Sequence, residues 1–247
     1  MNMSGTAKAA AASAWVFLRA IVTGVAVAAA GVAPWLVLAP LNAKIHPELP
    51  WAAVATLIYL ALLMLWLAGR GWPKSTSVFR RRSLRLWQPP PGAWSRERLS
   101  GLFGIIALIG ALYVLWIVAP SPGAPPDLSQ YPTTAFRISV LVMGAVVSGV
   151  VEEMAFRGYM QSQLERFGPA LAIVVTSIVF TLIHATHGLQ ALLVLAPGYF
   201  FASVLYGLLA IRTGSILPGM VLHVAGDALH TFFVLLGGDA KLLFASP

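Results

Sequence analysis

Cysteine is absent from this chain. Its absence excludes disulfide bridges, thiolate metal sites and a cysteine nucleophile together. Charge is scarce as well: Asp, Glu, Lys and Arg make up 10% of the 247 residues, against roughly 25% in an ordinary soluble domain. Acidic residues are the scarcer sign, eight in all, leaving a net charge of +8. The apolar–polar alternation that a membrane barrel requires is also missing. What the chain has in excess is apolar side chains, 59% of the total.

These apolar residues gather into runs. Six are clear: Trp15 to Leu38, Trp51 to Ala68, Leu102 to Ala119, Leu171 to Ile183, Leu189 to Ile211 and Ile216 to Leu236. A seventh, Ile138 to Val151, is shorter and leads directly into Glu152. A spanning helix needs about 20 mostly apolar residues. In lipid only helices and closed barrels satisfy their own backbone. The expected fold is therefore all-α, a multi-pass transmembrane bundle of about seven spanning helices. Ala28, Ala29 and Ala30 resemble a signal-peptidase site, but the apolar run continues to Leu38, so a retained helix is expected.

The positive charge is unevenly placed. Eight of the sixteen Lys and Arg residues lie between Arg70 and Arg98, as the positive-inside rule predicts for a cytoplasmic loop. That clustering argues against a nucleic-acid partner. Anionic lipid headgroups, with help from Trp72, Trp87 and Trp94, are a compatible second role for the loop. With it inside, Lys8, Arg157, Arg166 and Arg212 also fall inside, making twelve; Lys44, Arg137 and Lys241 fall outside. The expected location is the cell (inner) membrane, with the amino terminus cytoplasmic and the carboxyl terminus outside. The partners are then the lipid bilayer and a membrane-associated peptide or protein.

Two segments differ in character. Residues 1–134 carry N-terminal helices with almost no polar residue inside them, the basic loop, and a proline-rich stretch from Pro120 to Pro126. Residues 135–247 hold Glu152, Glu153, Arg157, His184, His187, His223, Asp227 and His230 in or beside apolar runs. Ionisable groups at membrane depth are costly and mark functional sites. Chemistry is expected in the second segment.

On a helix, Glu153 and Arg157 stand at i and i+4 and can pair. Glu152 is rotated by about 100° and left without that partner. A charge cluster ending a helix would look the same. Phe167-Gly168-Pro169 reads as a helix stop followed by a start. Glu152 lies sixteen residues before Gly168 and His184 sixteen after it, so an antiparallel hairpin would bring them level. His223 and Asp227 share a face at i and i+4, and His230 continues that stripe. Asp227 could simply orient His223. His187, beside Gly188, is expected near an interface.

In order, Glu152-Glu153-x-x-x-Arg157, Phe180-x-x-x-His184 and His223-x-x-x-Asp227 resemble the three signatures of the CPBP intramembrane proteases. That family contains the type II CAAX prenyl endopeptidases and their bacteriocin-processing and immunity-related relatives. Gly158 and Arg212-Thr213-Gly214-Ser215-Ile216 also look like it, whereas Asp227 stands where Asn is commoner. The resemblance implies a 135–247 protease core without a metal or other cofactor. Glu152 would activate water, aided by His184, while His223 and Asp227 stabilise the oxyanion and Glu153 and Arg157 give structural support. An ionised Asp cannot donate a hydrogen bond, so Asp227 must be protonated or act through His223. The family's best-known substrate is a prenylated peptide. A zinc protease using Glu152, His184 and His223 is the alternative enzyme, although no His-Glu-x-x-His helix is present. A non-catalytic scaffold or proton-coupled carrier is the alternative from another class.

Overall fold

The computed structural model describes residues 5–67, 70–71, 74, 84–86, 95–118, 133–184 and 189–235. The proline-rich stretch, His187, Lys241 and most of the basic loop, with Trp72, Trp87 and Trp94, lie outside the described residues. Among the described residues the fold is all-helical. Seven long helices follow the seven apolar runs: α1 Gly5–Lys44, α2 Trp51–Leu67, α3 Arg96–Val118, α4 Thr134–Glu152, α5 Pro169–Ile183, α6 Leu189–Thr213 and α7 Leu217–Leu235. Two of them, over Ala10–Lys44 and Leu195–Thr213, are long and apolar enough to cross a membrane. Large apolar side chains on α1, among them Trp15, Val22, Leu36 and Val37, point outward.

The first helix is longer than its apolar run. At 1.5 Å per residue its 40 residues reach about 60 Å, and Pro34 and Pro40 are accommodated within it. It does not stand apart from the second segment. Gly24 and Gly31 face Met160 and Val151, and the rings of Phe17 and Phe167 meet edge-on at 5.6 Å. Thr133 both caps α4, accepting from the Phe136 amide at 3.1 Å, and donates to the Pro47 carbonyl at 2.8 Å.

The helix that carries the glutamates does not stop where its apolar run stops. Beyond Glu152 the chain continues as a π-helical segment, Glu153–Gln161, then a short α turn Ser162–Leu164 and a 3₁₀ turn Glu165–Phe167. π segments are rare and recur at functional sites. This one is almost wholly buried, polar residues included. Gly168, at φ 117°, turns the chain, and Pro169 opens α5 as expected. Then α5 pairs with α6, and α4 packs along α7. The α4–α7 crossing is close because Gly149 has no side chain: a Cβ there would lie 2.8 Å from the Val224 backbone nitrogen. Small residues allow such approaches where lipid offers no hydrophobic drive for association.

The two ends of the bundle differ. At one end Arg85 pairs with Glu165, the Ile216 amide donates to the Arg85 carbonyl at 2.9 Å, and Ser215 donates to the Leu86 carbonyl at 3.1 Å. Arg212 lies there against Gly101 at the start of α3. The other end holds the α1–α2 turn, where Asn42 accepts from the Ala52 amide at 2.9 Å, and the start of α4. One count needs correction. Arg157, placed above with the inside charges, is fully buried in the bundle and carries no topological information, leaving eleven against three.

Candidate active site

The α4–α7 crossing brings the acidic pair against His223. Glu153 is fully buried, with Oε1 2.9 Å from Arg157 Nη1 and 3.1 Å from His223 Nδ1. The local pairing with Arg157 is the one expected, and the contact with His223 adds to it. A carboxylate only accepts, so His223 donates through Nδ1–H, which turns Nε2 the other way. There Nε2 faces two more carboxylates, 3.9 Å from Glu152 and 3.5 Å from Asp227. The Glu152 side chain makes no hydrogen bond among the described residues, and it is 13% exposed against 1% for Glu153.

Arg157 is held by more than its acid. Its guanidinium lies 4.6 Å from the Phe180 ring centre and 5.3 Å from that of Tyr206, and Nη2 donates to the Ser203 carbonyl at 3.4 Å. Two aromatic faces and an anion offset the desolvation of a fully buried cation. The same two rings organise the histidines. Tyr206 stacks on His223 at 5.1 Å, and Phe180 lies 6.3 Å from His223 and 4.7 Å from His184.

His184 caps the end of α5, where Nδ1–H donates to the Phe180 carbonyl at 2.7 Å. Its ring stacks on Tyr199 at 4.2 Å. It therefore joins the cluster through Phe180 and Tyr199, whereas Glu152 meets His223. With Nδ1 donating, neutral His184 presents Nε2 as an acceptor. His230 lies one turn beyond Asp227 and is half-buried. Among the described residues no group of three or more His, Asp or Glu side chains is arranged to hold a metal ion.

Four neighbours escaped the sequence. Asp227 accepts from Ser148 at 2.5 Å and from Tyr113 at 3.2 Å, and Tyr113 accepts from Tyr206 at 3.3 Å. Ser148 is four residues before Glu152 on the same helix, a spacing that could have flagged it. Tyr199 and Tyr206 stand seven apart on one stripe of α6, each under a histidine. Tyr113 carries no such signal.

The site is thus a buried carboxylate–imidazole cluster inside a helical bundle. Residues 134–229, which contain all of it but Tyr113, match the family model described as type II CAAX prenyl endopeptidase Rce1-like. This match supports the CPBP resemblance, and the matched family is one of peptidases. No curated protein and no solved structure matches the chain.

Proposed function

We propose that this protein is an intramembrane endopeptidase in which Glu152 activates water to hydrolyse a peptide bond of a membrane-associated protein or peptide. The observation that carries this is the contrast between the two adjacent acids. Glu153 is committed to Arg157 and His223, while Glu152 faces His223 Nε2 across 3.9 Å without a hydrogen bond. That separation is too long for a direct hydrogen bond, so both groups keep hydrogen-bonding capacity for a water placed beside them.

In the reaction, Glu152 takes a proton from that water as its oxygen adds to the substrate carbonyl. The proton then passes to the leaving amine as the carbon–nitrogen bond breaks. Held by Glu153 at Nδ1, a doubly protonated His223 donates from Nε2 to the oxyanion. His184 Nε2 serves as a second acceptor for the water. Carboxylates and imidazoles supply every step, so no metal is required. In this proposal all seven helices cross the bilayer, amino terminus inside, and the Arg85–Glu165 end of the bundle is cytoplasmic. The apolar runs and the eleven-to-three charge bias support that orientation.

The test is Glu152→Gln, which keeps shape and removes the base. Purified variant and wild type are compared on membrane-anchored peptides in detergent. The variant should accumulate normally and lose about 10²–10⁴-fold in turnover, the usual contribution of a positioned base. Full activity on any peptide that the wild type cleaves would overturn the glutamate mechanism.

A further inference from the structure

We propose that Tyr113, on α3 and outside the Rce1-like segment, is a positioning residue that fixes the carboxylate of Asp227 in front of His223. The proposal deepens the peptidase reading by extending its site to the N-terminal helices.

Two independent features carry it. The first is the hydroxyl chain. Tyr206 donates to the Tyr113 oxygen at 3.3 Å, and Tyr113 donates onward to Asp227 Oδ1 at 3.2 Å. Ser148 donates to Oδ2 at 2.5 Å, and that same oxygen lies 3.5 Å from His223 Nε2. Each carboxylate oxygen thus has its own hydroxyl, one from α3 and one from α4. A carboxylate gripped at both oxygens cannot rotate about its Cβ–Cγ bond, so Oδ2 stays turned toward the imidazole. The Tyr206 ring that starts the chain is the ring stacked on His223.

The second feature is steric. Gly226, next to Asp227, lies directly beneath the Tyr113 ring, where any added Cβ would collide with ring carbons. The α7 backbone is therefore shaped to receive this ring one residue from the carboxylate it serves. A tyrosine in an otherwise apolar helix needs a partner for its hydroxyl, and here the partner lies in the site.

The experiment is Tyr113→Phe in the full chain, which keeps the ring over Gly226 and removes the hydroxyl. Two readouts are taken. In the peptide assay, kcat should fall about 10- to 100-fold with KM unchanged, the loss expected when a hydrogen bond to a charged group is removed. In an Asp227→Asn background the same change should cost less than about 3-fold, because the two groups act as one unit. The second readout needs no catalysis: ¹⁵N-histidine NMR in detergent, with His223 assigned by its loss in His223→Gln. Tyr113→Phe should shift the His223 ring resonances and leave those of His184 in place. Unchanged His223 resonances, or effects of the two substitutions that simply multiply, would overturn the proposal. A shifted His223 in a protein that cleaves no peptide would uphold the positioning role and remove the peptidase reading instead.

Discussion

An ionised Asp227 can only accept hydrogen bonds, and it accepts two, from Ser148 and Tyr113. This answers the difficulty its sequence position raises. The side chain need not donate to an oxyanion if its work is to hold an acceptor oxygen in front of His223 Nε2, which the amide oxygen of Asn can also do. Asn at this position would supply an amide donor, and hydroxyls can turn to accept from it. Asp227→Asn is therefore expected to retain turnover within about 3-fold of wild type near neutral pH, or to exceed it; 3-fold is under about 1 kcal/mol. The measurement is peptide turnover by the purified variant, with and without chelator, beside elemental analysis. Stoichiometric zinc together with a large loss of activity would favour metal chemistry instead. At this scale the sequence showed what lies within one turn of a helix: Glu153 with Arg157, and Asp227 near His223. It did not show what other helices bring. The expectation that His184 lies level with Glu152 rested on equal distances from Gly168; that His223 also faces Glu152 had no such signal. The partners of Asp227 come from α3 and α4: spacing points to Ser148, one turn before Glu152, but nothing local points to Tyr113.

Helices were legible because hydropathy marks them, and their ends were legible where a special residue stands. Gly168 and Pro169 turn the chain as their chemistry requires. Where polar residues enter a run, hydropathy misleads. The apolar run Ile138 to Val151 is shorter than its helix: beyond α4 the helical stretch continues to Phe167, in keeping with the stop expected at Gly168, because Glu153, Arg157 and Gln161 are buried within the bundle rather than at its edge. The crossing of α4 with α7 sets the distance between Glu152 and His223, and Gly149 sets the crossing. In Gly149→Ala the new Cβ would meet Val224 Cγ2 at 2.5 Å and its backbone nitrogen at 2.8 Å, so the helices must separate. Overpacking of this kind costs about 1–3 kcal/mol. A 1 Å shift of catalytic groups can cost about 10²-fold in rate. Gly144→Ala on the same helix meets nothing within 4 Å and is the control. Thermal denaturation and turnover should both fall for the first variant and hold for the second; equal behaviour would show that the crossing does not set the site.

At the scale of the whole molecule, the basic positions that the structure describes at one end, Arg85 and Arg212, sit with Glu165 and Ser215, while the α1–α2 turn and the start of α4 lie at the other. In the proposed topology the chain alternates between these ends. Reporter fusions after Arg85 and Arg212 should read cytoplasmic, and fusions after Asp127 and at the carboxyl terminus should read outside; a cytoplasmic signal after Asp127 would invert the proposed topology. The buried pair of Glu153 and Arg157 has a bearing on how such a molecule is made. The two charges are four residues apart on one continuous helical stretch, so they can meet before any other helix arrives. A segment released into lipid can then carry both as a single neutral unit, instead of an isolated cation costing about 2.5–3.5 kcal/mol on translocon scales. His223, the Ser203 carbonyl and the Phe180 and Tyr206 rings join the pair when the neighbouring helices dock. On the proposed topology, the arginine at the heart of the site would enter the bilayer with its own counter-ion and acquire its aromatic and carbonyl lining on assembly.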